Sequence, residues 1–186
     1  WYGSVVPVAS GFSTTFSFST NYGTNGDAID GSYPGADGIA FVIQNNDSAA
    51  IGKTGGNIGY EGIENAIAIE FDLFANDHNQ ITNKFDPNGN HIAIQSMGTG
   101  EIKADHTEDA TLAINTEISE IPSDGTVFYA KIEYNYQPGV MNVFLDRQGK
   151  FGRSSLVADS LHLDKLLDLE FREGAYVGFT SATGKE

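Results

Sequence analysis

Glu70 and Asp72 sit two residues apart in NAIAIEFDLFAN, residues 65–76, with Ile67, Ile69, Phe71 and Leu73 interleaved between and around them. Side chains alternate along a strand, so Glu70, Asp72 and Phe74 share one face while Ile69, Phe71 and Leu73 share the other. A carboxylate withdrawn from water in so apolar a run is costly unless something positive meets it. The loop that follows, ANDHNQITNKFDPNGNH, holds Asn76, Asp77, Asp86, Asn88, Asn90 and His91. Oxygen donors at this density, with an imidazole and no sulfur, suit hard divalent cations: carboxylate, amide and carbonyl oxygens for Ca²⁺, and a carboxylate-rich site with a histidine for Mn²⁺ or a similar ion. Loop Asp and Asn also make local hydrogen bonds without any ion, which accounts for Asp77, Asn88 and Asn90 but not for two same-face acids in an apolar strand. An EF-hand does not fit, because Met97 stands where its closing glutamate would fall.

The elements that must hold these groups are strands. FSTTFSF at 12–18 alternates apolar and polar residues as a half-buried strand does, and GIAFVIQN at 38–45 is a continuous apolar run suited to an inner strand. Further strand-like runs are AIAIEFDLF (66–74), HIAIQS (91–96), ATLAIN (110–115), TVFYAKIEYNY (126–136), VMNVFLD (140–146) and AYVGFTS (175–181). Turn-rich segments separate them, and YNYQPGVMNVFLD reads as a hairpin turning at Pro138 and Gly139. Only SLVADSLHLDKLLDLEF, 155–171, offers a helical alternative, through Leu161, Leu163, Leu166 and Leu167. Many strands and little helix predict an all-β, antiparallel β-sandwich in one domain spanning residues 1–186.

Composition narrows the partners. The 186 residues are 40% apolar with Phe 12 and Tyr 8, enough for a sizeable core. Lys+Arg number 10 against Asp+Glu 25, a net charge of −15, which argues against nucleic acid or an anionic membrane surface as partner. The absence of cysteine excludes disulfides, thiolate metal sites and thiol nucleophiles. No apolar run approaches the length of a membrane span.

The ordered set GADGIAFVIQN, KTGGNIGY, AIEFDLFAN, DPNGNHIAI and YVGFTSATG resembles the L-type (legume-type, concanavalin A-like) lectin domain, and the likeness extends to the opening WYGSVVPV and GFSTTFSF. The resemblance implies a jelly-roll sandwich with a curved front sheet, a paired Ca²⁺ and transition-metal site, and a shallow sugar pocket beside the calcium. Carried over residue by residue, Glu70, Asp72, Asp86 and His91 match the ligands of the transition metal, usually Mn²⁺. Asp72 and Asp86 would bridge to Ca²⁺, which also takes the Phe74 carbonyl and the Asn76 side chain. A serine that the family places near Mn²⁺ through water does not align clearly with Ser96. The loop between Asn76 and Asp86 is longer than in plant members, which bears on its path and not on the ligand types; the source could be plant or microbial, and the details together lean to a microbial member.

For the sugar, Asp37, Gly56 and Asn76 match the three residues that hold a monosaccharide in the resembled family. Their chemistry is suitable on its own terms. A carboxylate accepts from two sugar hydroxyls, a glycine N–H and an amide donate to them, and Phe74 presents a ring to sugar C–H groups. A turn aspartate at Asp37 and a flexible loop at Gly55 and Gly56 are the competing readings of these residues taken singly. The resemblance implies a cis Ala36–Asp37 peptide and a fourth loop after YVGFTSATG, where the backbone at Lys185 and Glu186 would complete the pocket. The family's strands before WYGSVVPV and after that fourth loop lie outside these residues. The expected fold therefore lacks the terminal back-sheet strands; an uncovered sheet edge invites pairing with another chain, and the resemblance offers a homodimer through the back sheet as one assembly, with the oligomeric state left open.

The sequence thus predicts a secreted or cell-surface, metal-dependent, non-catalytic lectin for a glycan or glycoprotein bearing a hexopyranoside of mannose/glucose or galactose type. Two alternatives compete. A jelly-roll β-glucanase needs a second acid flanking the scissile bond, and Phe74 and Ala75 stand where that glutamate should be. A metal-stabilised adhesion module without sugar affinity would not need the Asp37, Gly56, Asn76 trio. No nucleophile-elbow pattern surrounds any serine. His78, His106 and His162 read as surface residues.

Overall fold

A computed structural model of the chain describes residues 1–21, 36–76, 86–170 and 174–183. Nine strands follow in order: β1 Phe12–Asn21, β2 Asp37–Gln44, β3 Ala66–Asp72, β4 His91–Ser96, β5 Thr111–Asn115, β6 Asp124–Asn135, β7 Val140–Asp146, β8 Leu156–Ala158 and β9 Tyr176–Thr183. They form two antiparallel sheets, five-stranded in the order β5-β4-β3-β2-β9 and four-stranded in the order β1-β6-β7-β8. The predicted all-β sandwich is what the chain adopts. The opening segment lies along β9: the Tyr2 N–H donates to the Val177 carbonyl at 2.8 Å, and Val6 bridges to Ala175.

Alternation decides the layers. Ile67, Ile69, Phe71 and Leu73 of the β3 segment point between the sheets, where they meet Phe128 and Ile132 of β6 and Met141 and Val143 of β7 in the main core. Each large aliphatic or aromatic side chain removed from water there contributes about 1.5–3 kcal/mol. Ala66 and Ala68 face outward together with Ala40 and Val42 of β2, under a second apolar layer built by Ile58, Tyr60, Ile63, Ile102 and Ala104. β2, β3 and β4 are therefore covered on both faces, which explains why their sequences read as continuous apolar runs.

The 155–171 stretch resolves into two pieces. Its start pairs with β7 as β8, a strand that the leucine pattern concealed, and Leu163–Leu166 forms one helical turn, α1. Leu161, Leu163 and Leu167 are buried in the main core, so their spacing reports burial on a cap rather than a regular helix. The β6–β7 hairpin turns where Pro138 and Gly139 predict. Gly139 holds φ 83, and a β-carbon there would stand 2.6 Å from the Leu161 carbonyl oxygen, so both the conformation and the space require glycine.

Candidate metal and sugar site

Glu70 is placed by β3 on the outer face of the five-stranded sheet, in register with Ala40 on one side and Ala93 on the other. Two small neighbours leave room for a carboxylate that is fully buried. Its oxygens are well partnered. The Tyr60 hydroxyl donates to Oε2, Gln95 Nε2 donates to Oε1 at 3.3 Å, and His106 Nε2 lies 2.6 Å from Oε1. Burial alone would push the Glu70 carboxyl up, but the hydrogen bond and positive charge of His106 outweigh it, with the nearby His91 ring adding to the effect, and hold it well below the usual carboxylate range.

Asp72 is the next outward residue, opposite Gly38 on β2 and His91 on β4. A β-carbon at Gly38 would stand 2.6 Å from the Phe71 carbonyl oxygen, so the close strand approach there depends on glycine. Asp72 Oδ1 accepts from the Phe74 N–H at 2.8 Å. Burial, followed by repulsion from Glu70 and Asp86, raises the Asp72 carboxyl well above its ordinary value. Three acids packed together in a dry site favour a bound cation, and the strand's register with His91 supplies a nitrogen donor beside them.

His91 begins β4 fully buried, with Nδ1 3.0 Å from the Asn88 carbonyl. Asp86 and Asn76 close the far side: Asp86 Oδ2 accepts from the Asn76 N–H at 2.7 Å. Asn88 and Asn90 instead tie their loop to its neighbours, through Asn88 Nδ2 to the Thr116 carbonyl at 3.0 Å and the Ile121 N–H to Asn90 Oδ1 at 3.0 Å. Among the described residues, Asn76 Oδ1 and Asp37 Oδ2 are buried acceptors without a hydrogen-bond partner, and Asp86 Oδ1 has only the edge of the His106 ring beside it. Each such orphan costs about 1–3 kcal/mol. Unpartnered oxygens next to crowded carboxylates are the donor set a Ca²⁺ ion uses, so the residues present fit the implied ions.

His106 corrects the sequence reading. It is not a surface residue: its side chain is 4% exposed and inserts between Glu70 and Asp86, with Nδ1 3.1 Å from Asp86 Oδ1. Burial works against its protonation, but contact with Asp86 and Glu70 raises its pKa to about 10. The loop that carries it is pinned across the outer layer, where the Ile102 N–H donates to the Ile63 carbonyl and the Gly62 N–H to the Ile102 carbonyl, each at 2.9 Å. Lys103 and Asp109, 2.9 Å apart, brace the same loop. In sequence, EIKADHTEDA looks like a solvated acidic loop, and nothing local marks His106 as buried. His162 is exposed, as read, and His78 lies outside the described residues. Ser96 is turned elsewhere, donating to the Ala66 carbonyl at 2.8 Å and accepting from the Gly98 N–H at 3.1 Å.

The predicted sugar residues meet at the edge of this centre. Asp37 opens β2 after a cis Ala36–Asp37 peptide, is 3% exposed, and is hydrogen-bonded to the Asn76 side chain. Burial raises its carboxyl above the ordinary 3.8, with repulsion from Asp86 adding to it and the Asn76 hydrogen bond opposing it. Gly56 lies in a 3-10 turn, Gly55–Asn57, that Ile58 anchors: Ile58 adopts φ 47, unusual for a β-branched residue, while its side chain is buried under the outer layer. The structure thus brings Asp37, Gly56 and Asn76 together, and Phe74, two residues before Asn76, is half-buried. Lys185 and Glu186 lie outside the described residues.

A two-sheet antiparallel sandwich with paired acids buried on one strand, a histidine opposite and a glycine turn alongside defines a legume-type lectin domain. The chain belongs to the legume lectin beta-barrel domain family, whose model matches residues 1–186. A probable L-type lectin-domain containing receptor kinase S.7 of Arabidopsis thaliana is 28% identical over 181 residues, which is 91% of this chain and 24% of that protein. The chain therefore spans about a quarter of that curated relative. Among solved structures, the winged bean acidic lectin complexed with methyl-α-D-galactose matches with a TM-score of 0.64 and 24% identity, over 95% of this chain and 63% of that one. The metal-free form of lectin I-B4 from Griffonia simplicifolia matches with a TM-score of 0.63 and 20% identity, over 95% of this chain and 65% of that one. These likenesses are to the fold.

Proposed function

We propose that this domain is a metal-dependent, non-catalytic lectin that binds a hexopyranoside of mannose/glucose or galactose type through Asp37, Gly56 and Asn76. The observation that carries the reading is the convergence of these three, far apart in sequence, with orphaned oxygens of Asp37 and Asn76 beside the Asp86 carboxylate. Ca²⁺ would be held by Asp72, Asp86, the Asn76 side chain and the Phe74 carbonyl, and a transition ion, Mn²⁺ or similar, by Glu70, Asp72, Asp86 and His91. When bound, these ions neutralise the carboxylates and fix Asn76 and Asp37 in place. Asp37 then accepts from two hydroxyls of the sugar, and the Gly56 N–H and the Asn76 amide donate to its oxygens.

On the same reading the backbone at Lys185 and Glu186 would complete the pocket, and a homodimer would form through the back sheet. A glycan ligand and an extracellular or cell-surface location agree with the galactoside named in the winged bean structure and with the receptor kinase named in the relative. Hydrolysis is disfavoured because Phe74 and Ala75 occupy the place of a second acid. Calorimetry against a panel of mannosides, glucosides and galactosides, with Ca²⁺ and Mn²⁺ and then with EDTA, tests the reading. Saturable binding abolished by EDTA is the expected result, and a folded chain that binds no member of the panel with ions present would overturn it.

A further inference from the structure

The metal ligands carried over from the family include a single imidazole, that of His91. The structure places a second one at the same point. His106 Nε2 lies 2.8 Å from His91 Nε2 and 2.6 Å from Glu70 Oε1, and His91 Nε2 is 3.8 Å from that same oxygen. Ligand atoms about 2.0–2.1 Å from one ion are separated from each other by roughly 2.9–3.4 Å in octahedral or tetrahedral geometry, the mean size of this triangle. The two rings stand at 80° with centroids 4.5 Å apart, edges converging rather than faces stacking. All three side chains are buried, at 0% exposure for Glu70 and His91 and 4% for His106.

Proton counting points the same way. The His91 Nδ1–H is committed to the Asn88 carbonyl at 3.0 Å, which leaves a lone pair on Nε2. Glu70 Oε1 brings another. If His106 Nε2 carries a proton, that proton can satisfy one of the two facing acceptors well and the other poorly. If it carries none, three lone pairs meet in a dry site. A cation satisfies all three. The other ring nitrogen of His106, Nδ1, faces Asp86 Oδ1 at 3.1 Å, the carboxylate partner that metal-bound histidines commonly have on their outer side.

Ligand type then decides the ion. Carboxylate, carbonyl and water suit Mn²⁺, the weakest binder of the divalent first-row series, whereas imidazole suits the later ions. We propose that His106 is a direct ligand of the transition-metal centre and that the His91–His106 pair makes the centre select a late ion of the Zn²⁺ and Co²⁺ class over Mn²⁺. This rests on the reading of the domain as metal-dependent, and Ca²⁺ keeps its own oxygen ligands beside the sugar residues.

The test uses the full chain, stripped with a chelator and refilled with Ca²⁺ present. In the first arm, equimolar Zn²⁺ and Mn²⁺ compete, and the retained metal is counted by mass spectrometry after desalting. In the second, Co²⁺ replaces both, and its visible d–d absorption is recorded for the wild type and for His106→Gln. The expected result is Zn²⁺ in excess of Mn²⁺ in the wild type. His106→Gln should lower Zn²⁺ affinity by at least about 10-fold, the loss typical of even an outer-shell partner, and should alter the cobalt spectrum. Retention of Mn²⁺ by the wild type, or a cobalt spectrum unmoved by His106→Gln, overturns the inference while leaving the lectin reading intact. A folded wild type that retains no transition ion overturns both. Retention of Mn²⁺ in the competition arm overturns the selectivity without any variant, and if His106→Gln does not fold, His106→Asn repeats the cobalt comparison.

Discussion

Gly56 and Asn76 are in contact: a β-carbon built on Gly56 would stand 2.6 Å from Asn76 Oδ1 and 2.7 Å from its Nδ2. The 3-10 turn therefore accepts only glycine if the asparagine amide is to keep its position. Gly56→Ala should leave folding nearly unchanged, because the Asn76 side chain is partly exposed and can swing away. The swing costs the amide its place beside Asp37, so sugar affinity should fall by about 10-fold or more, the equivalent of about 1.4 kcal/mol. Calorimetry and a melting curve on the same sample check the two halves, and an alanine variant with wild-type affinity would remove Asn76 from the pocket.

Asp37 sets an acid limit on binding. Burial, with Asp86 adding repulsion, raises its pKa above 3.8, and only the ionised form accepts from two hydroxyls. Sugar binding should be complete above that raised value and fall as the pH drops through it, at milder acid than an ordinary aspartate requires. The stability effect has the opposite sign for this group, since a folded-state pKa raised by burial means that protonation relieves a cost. Glu70, held well below its ordinary 4.5, contributes stability that is present above that value and lost only as the pH falls through its lower folded pKa. Binding should therefore fail on acidification before the fold does, which titrations followed by calorimetry and by Trp1 fluorescence can separate. Simultaneous loss of both would count against Asp37 as the acceptor.

Removing the ions should weaken the domain without unfolding it. In the stripped protein Glu70 keeps Tyr60, Gln95 and His106 as partners, while burial and repulsion from Glu70 and Asp86 leave the Asp72 carboxyl pushed up and without a compensating cation. Adding back an ion at about 100 times its dissociation constant should stabilise the fold by about 2.7 kcal/mol. Scanning calorimetry with and without EDTA gives the difference, and identical melting in both would argue that no ion is bound at Glu70 and Asp72.

Tyr60→Phe isolates one hydrogen bond on the buried acid. The Tyr60 hydroxyl is fully buried and donates to Glu70 Oε2. Losing a bond to a charged partner while keeping the ring should cost about 1.5–3 kcal/mol. For a domain of this size that lowers the melting temperature by roughly 3–12 °C. An unchanged melting temperature would mean that Glu70 does not depend on this donor.

Much of the architecture was legible before any coordinates. Period-two alternation in β1 and β6, unbroken apolar runs in β2, β3 and β4, and turn residues between them specify an antiparallel sandwich, because burial on one face or two leaves a direct mark on residue order. The 155–171 stretch was less clear, since a strand of three residues followed by a single helical turn is too short for either periodicity to establish itself.

The acids of the site were equally legible. Glu70 and Asp72 violate the apolar pattern of their strand, and a local violation needs no neighbour to be seen. What occupies the space around them was decided only by tertiary structure. His106 is 36 residues from Glu70 along the chain and sits in a run that reads as solvated loop, so its burial depends wholly on how the 102–110 segment folds back over β3 and β4. Residue types and their order along strands are local information. The number of imidazoles that meet at one point is set by packing between distant segments, and for this protein it was packing that added the second.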